Sequence, residues 1–367
     1  MTKKRTSQTF RFFNRWQSLF LGILLLLLGL GLLFMLDISV VESATTFHDP
    51  YYLLKQFAFG LGLSSVFFTA GLLVPTKYWI RFGGVLYILG ILSLLLVFVP
   101  GIGLELNGAN RWFAIGSFRF QPVEFVKIAL IMYFSQWLAK HQQISSFLLV
   151  LAAPAVLLLL QPDLGSLLLV IGIALLLFFL AGGKIQKLAL LSLVGVPVLL
   201  VLIITSPYRL QRLTSFLNPE SDPLGASFHI HQISLALGRG GLWGQGLGNS
   251  HQKFAYIPES TTDSIFAIIA EEIGYVGCIV LIGLFLLLFY AGYRTIAESE
   301  SSTSERLLGF GMLSWIALQT SLNLAAVVGL VPLTGIPLPF FSYGRSSQVM
   351  TMLACAIILR TGSNSST

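Results

Sequence analysis

Apolar residues run along this chain in long blocks, not at helical or strand spacing. "SLFLGILLLLLGLGLLFML" (18–36) and "SLLLVIGIALLLFFLAGG" (166–183) are two of them. A run of about 20 apolar residues is what a helix needs to cross a bilayer. Such blocks predict ten spans, near 17–37, 54–74, 79–99, 122–139, 147–161, 163–182, 187–206, 264–290, 307–330 and 344–360. The fold class this implies is an all-α polytopic membrane protein of about ten transmembrane helices. Residues 17–361 form one transmembrane domain, with a large extracytoplasmic loop over 207–262 between spans seven and eight. Residues 1–16 make a cytoplasmic, interfacial N-terminal segment, and residues 362–367 a cytoplasmic tail.

Composition leaves no room for a sizeable soluble domain, since 55% of residues are hydrophobic and 10% charged. The first apolar run follows a basic start, but it is too long for a cleaved signal core and is read as span one. Cys278 and Cys355 fall in apolar helices and read as packing residues. The net charge of +7 reads as membrane topology and not as nucleic-acid binding. An even number of spans puts both termini on one side. The loops on that side hold 13 of the 22 lysines and arginines, which marks it as cytoplasmic. The other nine are Lys55, Arg111, Arg119, Lys127, Arg209, Arg212, Arg239, Lys253 and Arg345. They lie outside, against the trend. Two pressures would hold them there: pairing with Glu105, Glu124, Asp163 or Glu220, or an anionic ligand on the outer face. For the set as a whole the anion is favoured.

Several motifs add chemistry. "QPVEFVK" (121–127) opens span four with Pro at the first turn, and Glu124 and Lys127 share a face as an ion pair or a functional intramembrane pair. "QPDLG" (161–165) sets Asp163 at the start of span six, as a cap or a working carboxylate. "GRGGLWGQGLG" (238–248) is a tight glycine loop or one that lets a ligand approach the backbone; it is neither a P-loop nor a Rossmann fingerprint. "SFHIHQISLALG" predicts a short amphipathic helix, and no further cluster supports its His229 and His231 as metal ligands. "LVPLTGIPLPFFSYGRSS" (330–347) is too rich in Pro and Gly for a continuous helix, so it lines a cavity or is buried, with Arg345 and Ser346 facing that cavity. "YIPESTTDSIFAIIAEEIG" (256–274) sets Asp263 at the outer start of span eight, with Thr261 or Thr262 as the cap. Glu271 and Glu272 lie about 12–14 Å further along a helix. They read as polar supports, one of them pairing with a buried base such as Arg345.

Taken together, "NGANRW…FQPVEFVK", "QPDLG", "ALGRGGLWGQGLGNSHQKFAYIPESTTDSIFAIIAEEIG" and "TGIPLPFFSYGRSS" resemble the SEDS family, the peptidoglycan polymerases of FtsW and RodA type. The likeness runs from about residue 100 to 355 in the family's order. "FVPGIGLELNGANRW" leans to the FtsW type and "TGIPLPF" to RodA, with FtsW weakly favoured. The resemblance implies an inner-membrane glycosyltransferase that polymerises lipid II outside the cytoplasm, for division or elongation, and releases undecaprenyl pyrophosphate. It puts the family's essential aspartate, in "PExHTDF", on Asp263 as general base. It implies substrate contacts at Arg111, Glu124, Lys127, Asp163, Arg209, Arg212, Lys253, Glu259, Ser342, Arg345 and Ser346. The family's His, Phe and Gly are here Thr261, Ser264 and Arg345. A divalent cation, Mg or Mn, would help neutralise the pyrophosphate, although no ligand set marks a site for it. Implied partners are a class B penicillin-binding protein, to cross-link the product, and other division or elongation proteins. The alternative is a flippase for lipid II, which needs the same grip on the diphosphate but no base.

Overall fold

The chain is described from a computed structural model, covering residues 14–106, 109–115, 118–141, 143–220, 222, 225, 227–252 and 261–363. The helices are α1 (Arg15–Phe47), α2 (Tyr52–Leu73), α3 (Thr76–Arg81), α4 (Gly83–Leu96), α5 (Pro122–Trp137), α6 (Ile144–Leu160), α7 (Leu164–Leu180), α8 (Ile185–Ile204), α9 (Pro207–Leu217), α10 (Phe228–Gly240), α11 (Ile265–Ala297), α12 (Thr303–Val327) and α13 (Arg345–Gly362). Each expected span meets a helix, with 79–99 divided between α3 and α4. Five of them, α1, α2, α8, α11 and α12, are long and apolar enough to cross a membrane alone.

Burial sorts the helices into two kinds. In α13 every residue from Ser346 to Leu359 is buried, and α5 is buried along most of its length. They form the axis of the bundle, with α2, α11 and α12 packed on α13. By contrast α8 has no buried residue, so its apolar surface is left for lipid all round. At one end of the bundle the start of α1 meets the end of α13, where Gln17 Nε2 donates to the Leu359 carbonyl at 3.0 Å. Trp16 Nε1 reaches Glu298, just past the end of α11, at 3.0 Å. The opposite end gathers the starts of α5, α7, α11 and α13.

Three features depart from the expected layout. First, a small antiparallel meander, β1 (Gly103–Leu106), β2 (Ala109–Ile115) and β3 (Phe118–Phe120), precedes α5, with Phe113 opposite Phe120. Second, the 207–262 loop carries α9 as well as the expected α10. Third, α11 is broken at Gly274 (φ 67°, ψ −174°). A broken helix at membrane depth leaves backbone groups that lipid cannot satisfy. Here the glycine loop supplies them. Gln245 and Gly246 amides donate to the Glu271 and Glu272 carbonyls, both at 3.0 Å. In return, the amides of Tyr275 and Val276 donate to the carbonyls of Gly241 and Leu242 at 2.9 and 3.1 Å. The strand-like exchange needs a backbone without side chains: a Cβ on Gly244 would stand 2.1 Å from the Glu272 carbonyl oxygen.

Candidate active site

The Pro- and Gly-rich segment between α12 and α13 is the hub of the end opposite the chain termini. Polar side chains from α9 and α12 hold its backbone. Asn323 of α12 donates from Nδ2 to the Ile336 carbonyl and to the Asp263 carbonyl, both at 2.8 Å. One turn earlier, Gln319 donates to the Pro337 carbonyl at 3.1 Å. Arg212 of α9 donates to the Leu333 carbonyl at 3.2 Å. A Cβ on Gly165 at the start of α7 would lie 2.4 Å from the Thr334 oxygen, so that helix abuts the segment directly. The Ser342 hydroxyl donates to the Thr262 carbonyl, and the Tyr343 amide to that of Thr261 at 2.6 Å. The hub thus joins the starts of α7, α11 and α13.

Asp263 stands at this junction, one residue before the N-cap of α11. Its side chain is partly exposed, and Oδ2 faces Gly335, whose added Cβ would lie 3.9 Å away. Thr262 and Ser264 hydroxyls lie 3.4 and 3.5 Å from Oδ1. The N-cap is Ser264, not Thr261 or Thr262 as expected, and Thr261 is buried. His229 of α10 completes the cluster, its Nε2 being 2.7 Å from Ser264 Oγ. Burial pushes this imidazole down from 6.5 to about 4, and the neighbouring Arg212 guanidinium acts in the same direction, so the ring is neutral at pH 7.

The other candidates fall into three groups. Glu124 and Lys127 are buried as an ion pair with N–O 2.8 Å. Lys127 also donates to Gln319 Oε1 at 2.9 Å and lies 4.8 Å from the Trp315 ring centre. Asp163 caps α7, accepting from the Ser166 amide at 3.1 Å and hydroxyl at 2.8 Å. A second group is taken up by backbone carbonyls. Arg111 on β2 donates to those of Gln161, at 3.2 Å, and Pro162. Arg209 donates to Leu202 and Leu159, at the ends of α8 and α6, where a cation suits the helix dipole. Ser346 is buried and accepts from the Gln121 amide at 3.2 Å, while Ser342 is bound as above. These contacts replace the cavity-facing placement expected for Ser346. Arg345 reaches Gln56 of α2 at 2.9 Å. The third group, Lys253 and Glu259, lies outside the described residues.

The expected pairing of Glu271 or Glu272 with Arg345 is also replaced. Glu271 accepts from the Ser250 hydroxyl and from the amides of His251 and Gln252, at 3.3 and 3.2 Å, and Glu272 from the Gly248 amide at 3.2 Å. Both carboxylates clamp the far side of the glycine loop. His229, Gln319 and Asn323 went unassigned in the sequence. The two α12 amides had a signal, being polar and four apart in an apolar helix, whereas His229 had none beyond its H-x-H spacing. Among the described residues no group of three or more His, Cys, Asp or Glu side chains is placed to hold a metal ion.

The helical bundle defines an all-α polytopic membrane protein, with a carboxylate at the junction of the starts of α7, α11 and α13. The chain belongs to the FtsW/RodA/SpoVE cell cycle protein family, whose model matches residues 17–367. It is 37% identical over 98% of its length to stage V sporulation protein E of Bacillus subtilis, covering 98% of that protein. It is 39% identical to a probable peptidoglycan glycosyltransferase FtsW of Coxiella burnetii, across 91% of this chain and 92% of the relative. The fold superposes on the rod shape determining protein RodA of Thermus thermophilus with TM-score 0.71 and 26% identity, covering 96% and 97% of the two chains. A chain from a peptidoglycan synthase complex that coordinates polymerization and crosslinking gives TM-score 0.76 at 26% identity, with 94% and 96% covered.

Proposed function

We propose that the chain is a peptidoglycan glycosyltransferase that polymerises lipid II on the outer face of the cytoplasmic membrane, with Asp263 as the general base. The observation that carries this reading is the partly exposed carboxylate of Asp263 at the meeting point of the helix starts. A glycosyl transfer from lipid II forms a bond from an acceptor hydroxyl to the donor's anomeric carbon and breaks the bond to the diphosphate. The acceptor proton needs a carboxylate at the surface. The leaving diphosphate needs positive potential, which helix N-termini supply through their free amides and dipoles. Arg212, exposed beside the site, adds a cation whose fork suits phosphate oxygens. On this reading both termini are cytoplasmic, in keeping with the basic residues of the opposite end, and a class B penicillin-binding protein cross-links the product.

The test is polymerisation of purified lipid II, read on gels. We expect Asp263→Asn to fold as wild type and to lose roughly 100- to 10,000-fold in rate, the usual worth of a general base. Near-normal polymer from that variant sinks the base assignment. If the wild-type protein moves lipid II across vesicles without making polymer, the flippase reading takes its place.

A further inference from the structure

Ser264 occupies the N-cap of α11, yet its side chain makes no cap hydrogen bond to the helix. An N-cap serine ordinarily turns its oxygen onto an amide of the first turn, a contact worth about 1 kcal/mol. Here the fully buried hydroxyl instead lies between His229 Nε2, at 2.7 Å, and Asp263 Oδ1, at 3.5 Å. A hydroxyl has one hydrogen to give. If the imidazole accepts it, Asp263 receives nothing from Ser264. If the imidazole donates from Nε2, the serine oxygen accepts and its own hydrogen is left for the carboxylate. An ionised Asp263 favours the second arrangement, because a carboxylate is acceptor-only.

We propose that His229 is a positioning residue for Asp263. It donates from Nε2 to Ser264 Oγ and thereby turns the Ser264 hydroxyl onto Asp263 Oδ1, which favours the ionised carboxylate. The inference rests on Asp263 being the base of the polymerase. Protons balance without a charge on the ring: the acceptor proton ends on Asp263, and His229 remains neutral throughout. Among the described residues, Arg212 on α9 faces the ring and opposes imidazolium, and Asp263 lies beyond Ser264 on α11. His231 shares α10, and Asn323 of α12 binds the Asp263 carbonyl, not its carboxylate. Ser264 stands where the resembling family has Phe, so the device belongs to this chain's own residues.

The experiment is the pH dependence of lipid II polymerisation by the purified full chain, comparing wild type with Ser264→Ala, His229→Phe and His229→Gln. At 3.5 Å, and with the Thr262 hydroxyl 3.4 Å from the same oxygen, losing this contact should lower kcat by about two- to tenfold. Ser264→Ala and His229→Phe should do this with KM for lipid II unchanged, and should move the acidic limb of the kcat/KM profile to higher pH, since the carboxylate loses a donor to its ionised form. His229→Gln keeps an amide donor and should restore the wild-type limb. The Ser264→Ala/His229→Phe double variant should be no worse than either single one. An acidic limb that stays in place in Ser264→Ala overturns the proposal, as does His229→Gln behaving like His229→Phe. So does a loss that is equal at every pH and parallels a drop in Tm. Those results leave the polymerase reading intact provided the wild type makes glycan; a wild type that makes none overturns both.

Discussion

Lys127 shows how burial changes the meaning of a charged residue. In the sequence it reads either as the partner of Glu124 or as an outer cation for an anionic ligand. In the structure it is 2% exposed and satisfied by Glu124, Gln319 and the face of Trp315. Removing one member of a buried pair strands the other charge, at a cost of about 3–5 kcal/mol. We therefore expect Lys127→Ala to lower the midpoint of thermal unfolding in detergent, and Glu124→Gln/Lys127→Met to recover much of the loss. Equal midpoints for Lys127→Ala and wild type would return Lys127 to a substrate role. His229 gives a second residue-level expectation, with a definite sign. Its folded value of about 4 lies below the ordinary 6.5, so the unfolded chain binds the proton more readily. Its contribution to stability is complete above pH 6.5 and is lost as pH falls toward 4. Unfolding midpoints followed across that window should drop with pH in the wild type, and the slope should be shallower in His229→Gln.

The ten spans could be read from the sequence because a membrane helix needs only length and apolarity, both of which are local. What escaped depended on contacts between distant segments. The strands over 103–120 are three to seven residues long and acquire meaning only by pairing. A glycine in an apolar run such as that around Gly274 predicts nothing, since many helices absorb one; the break exists because residues 241–246 are present to pair with it. The carboxylates of Glu271 and Glu272 were recognised as polar supports, but their partners are loop amides that no spacing rule could indicate. Asp263 was legible through its motif and its place before span eight, whereas the relation of Ser264 to His229 joins residues 35 apart. The loop–helix exchange also makes a prediction of its own. A Cβ on Gly274 would lie 2.2 Å from the Gly244 nitrogen, against backbone that cannot swing aside. Gly274→Ala should therefore unseat the loop. Hydrogen exchange should then quicken at the amides of Gln245, Gly246, Tyr275 and Val276, while α5 and α13 stay protected. Unchanged protection at those four amides would show that the loop is held by other contacts.

At the scale of the molecule, polar side chains gather at both ends of a bundle whose flanks are left to lipid, and Asp263 lies at the end opposite the chain termini. α11 lies at the centre of this arrangement. Its start carries Asp263, its break holds the glycine loop, and a Cβ on Gly240 of α10 would come within 2.3 Å of the Ala270 oxygen. α10 and the loop are therefore packed on the helix whose start carries Asp263. Further along, α11 turns Val280, Leu286 and Tyr275 outward, a face available to another membrane helix. We expect a cognate transpeptidase with a single span to bind the lipid faces of α11 and α12 together with the 207–262 loop, and to raise the polymerisation rate through that loop. Couplings between sites are typically worth 1–3 kcal/mol, so the rate should rise about fivefold or more. The measurement is lipid II polymerisation titrated with a transpeptidase whose own serine has been inactivated, so that cross-linking cannot draw the reaction forward. Saturating stimulation that is abolished by Gly274→Ala would tie activation to the loop. A flat rate across the titration of a verified complex would refute activation by the partner, while leaving the assignment of Asp263 to be judged by its own variant.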